Sequence, residues 1–158
     1  MDSMAISPEA FRDALSHWAS GVTLVALREE DGTLHATTVS SFASVSAEPP
    51  RILISLGPGA QVLPFLDPGH RFVVNILAHR QRRLATVFAD PFPVGPSPFP
   101  SEGDPVVADA LAVLVCGVER VIPVDGVRLV LGRVMETRLG KPDEPLVNYR
   151  RKYRSVTE

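Results

Sequence analysis

Apolar residues recur along this chain with two different periods. Near the N-terminus Phe11, Ala14, Leu15 and Trp18 fall at helical spacing and make one apolar face. Ser7 suits the cap of that helix, Pro8 its first position and Glu9 the positive end of its dipole, and Gly21 breaks the pattern. Runs of β-branched and aliphatic residues then predict strands over Val22 to Leu27 and Leu34 to Val39, joined as a hairpin at Glu29-Glu30-Asp31-Gly32. Further strands are predicted over Arg51 to Leu56, Phe72 to Leu77, Leu111 to Ile122 and Val127 to Thr137, with short helices at Val62 to Leu66 and Gln81 to Phe88.

The last two long strands join at Pro123-Val124-Asp125-Gly126, and many of their apolar residues are consecutive. Such strands are buried on both faces, as where a barrel meets a helix or a second subunit. Between Pro91 and Pro100 stand five prolines in ten residues, which excludes a helix or an inner strand. That segment reads as an ordered surface loop anchored by Phe92 and Phe99, with a lid as their other reading. Six or seven strands linked by hairpins and short helices predict a mainly β chain, a closed antiparallel barrel with peripheral helices. A length of 158 residues fits one domain over 1–158.

Composition narrows the function. Hydrophobic residues make up 45% and charged residues 22%, an ordinary globular balance. A formal net charge of −2 and the lack of a basic aromatic stripe argue against nucleic-acid binding, since the basic tail Tyr149 to Arg154 is short. No apolar run is long enough to cross a bilayer, and Met1-Asp2-Ser3-Met4 lacks the features of a signal peptide, so a cytoplasmic location is expected. Cys116, the one cysteine, reads as a buried strand residue. His17, His35, His70 and His79 are not spaced as metal ligands, and no metal is expected. Nucleophile-elbow, Walker and dinucleotide-fingerprint motifs are missing.

The segment Thr37-Thr38-Val39-Ser40-Ser41-Phe42-Ala43-Ser44-Val45-Ser46 is the unusual one. Hydroxyls alternate with apolar groups at a strand end, so alternation predicts hydroxyls on one side. Short donors and open backbone amides suit an anionic, planar, hydrogen-bonding ligand; a solvent-facing Ser/Thr strand is the other reading. Asn75 reads equally as a strand-end cap, Gln81 as a helix-start residue facing water, and Arg80, Arg82 and Arg83 as a solvated charge run. Trp18 reads as core before a stacking surface for a ligand ring.

In order along the chain, Phe11-Arg12-Asp13-Ala14-Leu15, Gly21-Val22-Thr23, Thr38 to Pro50, Phe72 to Leu77, Gln81-x-x-Leu84-Ala85, Phe88-Ala89, Gly132-Arg133-Val134 and Pro145 to Tyr149 resemble the flavin reductase family with the FMN-binding split-barrel fold. The resemblance implies a homodimer of antiparallel split β-barrels with FMN or FAD near the subunit interface. Thr37, Thr38, Val39, Ser40 and Ser41 would run beside the isoalloxazine, Ser44 and Ser46 would belong to the same cofactor-binding set, and Ser55, Leu56 and Gly57 would lie nearby. Asn75, Ile76, Leu77 and Gln81, with Arg82 and Phe88, complete the implied cofactor-binding set; Asn75 and Gln81 would hold the ribityl chain and phosphate. The implied activity is reduction of FMN or FAD by NADH or NADPH, with reduced flavin passed to a separate monooxygenase.

One departure matters. Family members often carry Gly-Asp-His where this chain has Gly126-Val127-Arg128, and that histidine is thought to meet the nicotinamide. Arg128 takes its place as the candidate catalytic residue. It cannot donate a proton near neutral pH, although it can pair with a phosphate or stack on a ring. Ala36 likewise replaces a common glycine. A flavin-binding or carrier protein with another electron donor is therefore the alternative function.

Overall fold

The computed structural model describes residues 5–156; Met1–Met4, read above for targeting, lie outside them. Among the described residues ten strands form: β1 (Ser20–Gly21), β2 (Thr23–Arg28), β3 (Leu34–Val39), β4 (Phe42–Ala47), β5 (Pro50–Leu56), β6 (Arg71–Ile76), β7 (Ala112–Val124), β8 (Val127–Leu139), β9 (Val147–Tyr149) and β10 (Lys152–Arg154). Two α-helices join them, α1 (Pro8–Leu15) and α2 (Arg82–Ala89). Ser7 caps α1, its hydroxyl accepting from the Ala10 amide at 3.1 Å.

Seven strands make one antiparallel sheet in the order β3-β2-β6-β7-β8-β5-β4, and β1, β9 and β10 make a small second sheet. Its first and last strands are consecutive in the chain. Val39 ends β3 paired with Thr23, and Phe42 opens β4 paired with Ile54. Only Ser40 and Ser41 stand between, so the two edges are held within about 11 Å. The sheet therefore curls into a barrel with a two-residue strap across its seam. From Val39 the register runs through Thr23, Ile76 and Ala112 to Leu139, whereas from Phe42 it runs through Ile54 to Val130 of the same strand. That stagger is the shear that goes with tilted barrel strands.

Two cores result. Val25, Leu27, Ile54, Phe72, Val74, Cys116 and Val130 fill the barrel interior. Leu24, Ala26, Val73, Leu77 and Val115 point outward and are buried with Ala85 of α2 and with Val107 and Ala110 of the segment after the proline loop. This second layer explains why β2 and β6 are buried on both faces. It also covers the outer residues Val113 and Val115 of β7. The outer face of β8 differs: Leu129 and Leu131 are only partly buried and Met135 is 53% exposed. Gly132 lies inside the barrel, where a Cβ would stand 2.8 Å from the Phe72 ring. The β7–β8 joint is tighter than predicted. Val124 pairs with Val127, and Asp125 and Gly126 (φ 46° and 91°) make a two-residue turn of the primed kind.

The expectation that Trp18 belongs to the core is corrected. No residue of α1 is buried, and its apolar face stays open, with Trp18 74% exposed. The proline loop is anchored by Phe99, whose ring packs against Phe88 at 5.8 Å, while Phe92 is exposed.

Candidate functional site

The strap and the residues that fix it form the centre of the candidate site. Hydrogen bonds hold both of its ends. On the β3 side, the Thr23 hydroxyl donates to the Val39 carbonyl at 2.7 Å. On the β5 side, the Ser41 hydroxyl donates to the Ser55 carbonyl, and the Ser55 amide donates back to the Ser41 carbonyl at 3.1 Å. Between these fixed points the amides of Ser40 and Ser41 donate to no other backbone group among the described residues. The Ser40 hydroxyl forms no hydrogen bond among the described residues, nor do those of Thr37, Ser44 and Ser55. No local signal in the sequence marks Thr23, because its partner is sixteen positions away.

The hydroxyls do not share one side, which corrects the alternation argument. Val39 belongs to the interior core, so Thr37 faces inward with it. Thr38 faces outward and donates to the Ala85 carbonyl at 2.6 Å, tying β3 to α2. A bulge between Ser44 and Ser46 breaks the alternation again. Ser46 spends its hydroxyl on the Pro49 carbonyl at 2.6 Å.

Asn75 and Gln81 are engaged elsewhere. Asn75 is fully buried; its amide donates to the Leu24 and Pro105 carbonyls, and its oxygen accepts the Val107 amide at 2.8 Å. Gln81 accepts from the Ala78 amide and donates to the Ala108 carbonyl, each at 2.9 Å. Both pin the segment around residues 105–110 against β6 and α2. The side chains that the resemblance assigns to a ribityl chain and phosphate are thus engaged within the chain itself. Leu77 is buried in the outer core, and Ile76 lies across Thr23 from Val39, one strand from the strap. Phe88 lines an apolar cavity of about 200 Å³ beneath the proline loop, with Leu34, Ala36, Val94 and Phe99.

The basic candidates separate by their partners. Arg80 is paired with Asp143 at 2.6 Å and Asp109 at 3.6 Å. Arg82 and Arg83 are exposed in the first turn of α2, with no carboxylate within 4 Å among the described residues. Through Ala85 and Thr38 that turn is tied to the strap. Arg128 pairs in register with Leu56, on the interior-facing side of β8 at the barrel mouth. It lines a cavity of about 300 Å³ with Pro58, Leu63, Leu66, Asp67 and Val121. The only hydrogen bond of its guanidinium among the described residues is a 3.4 Å contact to the Val127 carbonyl.

Two features outside the strap complete the electrostatics. Glu119, the extra residue of a bulge in β7, bridges Arg51 at 2.6 Å and Arg133 at 2.9 Å on the outer face of the barrel. Those two guanidinium groups pull its carboxyl down to about 2. Burial pushes the Cys116 thiol up to about 12, so it has no nucleophilic role near neutral pH.

The free amides of the strap, the unbonded Ser40 hydroxyl and the unpaired arginines of α2 fit a flat ring with a carbonyl edge and a phosphate tail. A model of the flavin reductase like domain matches residues 15–157. The chain is 38% identical over 154 residues to the reductase component of 4-hydroxyphenylacetate 3-monooxygenase from Thermus thermophilus, covering 94% of this chain and 96% of the relative. It is 35% identical over 159 residues to an NADH:riboflavin 5′-phosphate oxidoreductase from Streptomyces pristinaespiralis, covering 97% and 90%. Among solved structures it superposes on flavin reductase PheA2 in its native state with a TM-score of 0.86 and 30% identity, over 97% of this chain and all of that one. Fold, strap and sequence agree, and the chain belongs to the family of flavin reductase like domains.

Proposed function

We propose that this protein reduces FMN or FAD with NADH or NADPH and releases the reduced flavin to a flavin-dependent monooxygenase. The strap carries this reading: two consecutive residues with unpaired amides, fixed at both ends and set at the seam of a rigid barrel. Rigid donors lose little freedom on binding, so they orient a ring well. When bound, the flavin supplies the acceptor for a hydride and its two electrons.

The residues of the chain divide the remaining work. The amides of Ser40 and Ser41 and the Ser40 hydroxyl hold the polar edge of the ring. Thr37 and Ser55 stand beside it, and Arg82 in the first turn of α2 offers a cation to the phosphate. Arg128 is the residue of this set that meets the hydride donor. Its guanidinium keeps its protons near neutral pH, so it positions and does not transfer a proton. Hydride transfer needs close approach, not an acid.

A homodimer is part of the proposal. The outer face of β4, β5 and β8 carries Val45, Leu53, Leu129, Leu131 and Met135 without a covering layer, and Val45 and Met135 are each about half exposed. The strap borders this face, so a second copy seated there would close the open side of the strap. A cytoplasmic location accompanies the proposal; no helix among the described residues is long and apolar enough to cross a membrane.

The test is direct. Purified protein is mixed with FMN and NADH, and loss of the nicotinamide absorbance is followed. Rapid loss that scales with protein supports the reductase. Arg128→His and Arg128→Gln then separate positioning from binding: KM for NADH changes while FMN affinity holds. A protein that binds FMN and leaves both NADH and NADPH untouched is a flavin carrier, and the reductase reading fails.

A further inference from the structure

We infer that the cavity between α1 and the β9–β10 turn receives the adenosine-phosphate half of a dinucleotide, either FAD or NAD(P)H. The inference rests on the flavin-reductase reading and extends it to a second part of the ligand. The cavity has a volume of about 200 Å³ and is lined by Phe11, Arg12, Leu15, Trp18, Arg150 and Arg151.

Its position suits a dinucleotide. From Trp18 the chain passes through β1 and Val22 to Thr23, whose hydroxyl holds the Val39 carbonyl at the start of the strap. Thr23 lies five positions after Trp18, at most about 18 Å of chain. The Leu77 amide, donating to the Val22 carbonyl at 3.1 Å, fixes this path to the barrel. A ligand with its isoalloxazine or nicotinamide at the strap would have its far end here.

Its chemistry suits adenylate. Trp18 is 74% exposed and Phe11 59%, so flat aromatic surface is available for a purine to stack on. Arg12 and Arg150 have no carboxylate within 4 Å among the described residues, whereas Arg151 is paired with Asp13 at 3.0 Å. Two unpaired guanidinium groups beside an aromatic face are what a nucleoside phosphate requires.

The backbone holds those arginines at some cost. Tyr149 pairs with Lys152, so Arg150 and Arg151 alone make the turn, and both are left-handed, with φ of 51° and 61°. Glycine or asparagine is cheaper in such a turn. The Arg150 amide donates to the Ser16 carbonyl at 2.8 Å and locks the turn against the end of α1. The fold thus holds two consecutive arginines in a strained conformation at the rim of the cavity, and strain of this kind concentrates where side chains bind.

Trp18 is the only tryptophan of the chain, so its fluorescence reports on this cavity alone. The probe is 5′-AMP, titrated into the full chain. The expected result is a saturable change in Trp18 emission, with the AMP dissociation constant raised about tenfold in Arg12→Gln and in Arg150→Asn. Asparagine tolerates the left-handed backbone, and circular dichroism checks that both variants fold. If the adenylate is that of FAD, both variants weaken FAD and leave FMN unchanged. If it is that of NAD(P)H, both raise KM for the nicotinamide nucleotide with FMN as acceptor. The inference is overturned if AMP leaves Trp18 emission unchanged while FMN still binds and is reduced. It is overturned equally if emission follows protein concentration and not AMP, which assigns the face to a second copy. Failure of FMN to bind at all removes the flavin reading first, and this inference with it.

Discussion

The side-chain oxygen of Asn75 accepts the Val107 amide at 2.8 Å, thirty-two residues away in sequence, where both residues are buried. With the two bonds its amide donates, this contact fastens the outer layer to β6. Asn75→Ala leaves buried polar groups without partners, each a loss of about 1–3 kcal/mol. The expected outcome is a lower urea midpoint with an unchanged slope, and unchanged FMN affinity per folded molecule. A variant of normal stability that no longer binds FMN would return Asn75 to the ligand.

Gly132 and Phe72 meet inside the barrel. A methyl group at Gly132 would stand 2.8 Å from Phe72 and 3.2 Å from Ile52, both fully packed. Gly132→Ala is expected to destabilise by about 1–3 kcal/mol, the range for overpacking a dense core. Pairing it with Phe72→Leu should recover part of that loss. Thermal melts of both variants and the double variant test the coupling.

Acid sensitivity follows from Glu119. Its carboxyl is held at about 2, below the ordinary 4.5, chiefly by hydrogen bonds from Arg51 and Arg133. A carboxylate depressed in the folded state contributes stability that is present above its unfolded value and lost as pH falls toward its folded value. The loss for Glu119 therefore spans roughly pH 4.5 to 2. Asp104 and Asp143, lowered by Arg71 and Arg80, act in the same direction. Glu119→Gln is expected to flatten the melting temperature across that window. An unchanged pH profile in the variant would discard the assignment.

Arg151 has φ of 61°, where a side chain is unfavourable. Arg151→Gly is expected to stabilise by about 1 kcal/mol, the scale of that backbone penalty. The surface pair with Asp13 that it removes is worth less. Denaturant titration distinguishes this gain from the loss expected if the ion pair dominates.

Strands, hairpins and the barrel were legible because Val, Ile and Leu mark them and because Asp125-Gly126 and Gly32 punctuate them. Faces were harder to read. Thr37 and Thr38 sit side by side in a strand, so they point opposite ways, and only the distant Ala85 decides which is covered. The resemblance assigns Asn75 and Gln81 to the ligand, whereas their side-chain partners Pro105, Val107 and Ala108 lie about thirty residues on, where no local pattern marks them. Trp18 read as core because its spacing matches a buried helix face, yet helical spacing does not say what covers the face. The Glu119 bulge had no signal at all, since one extra residue in a long apolar run leaves the pattern unchanged.

The strap has no slack. An inserted residue between Val39 and Phe42 would rotate β4 by half a turn and aim Phe42 outward, while a deletion would pull the barrel seam out of register. The proline loop, by contrast, lies on the surface and can absorb added length. Gene libraries of random insertions should therefore be barren at Ser40–Ser41 and populated across residues 91–100, making tolerance to length change a map of where this barrel is closed.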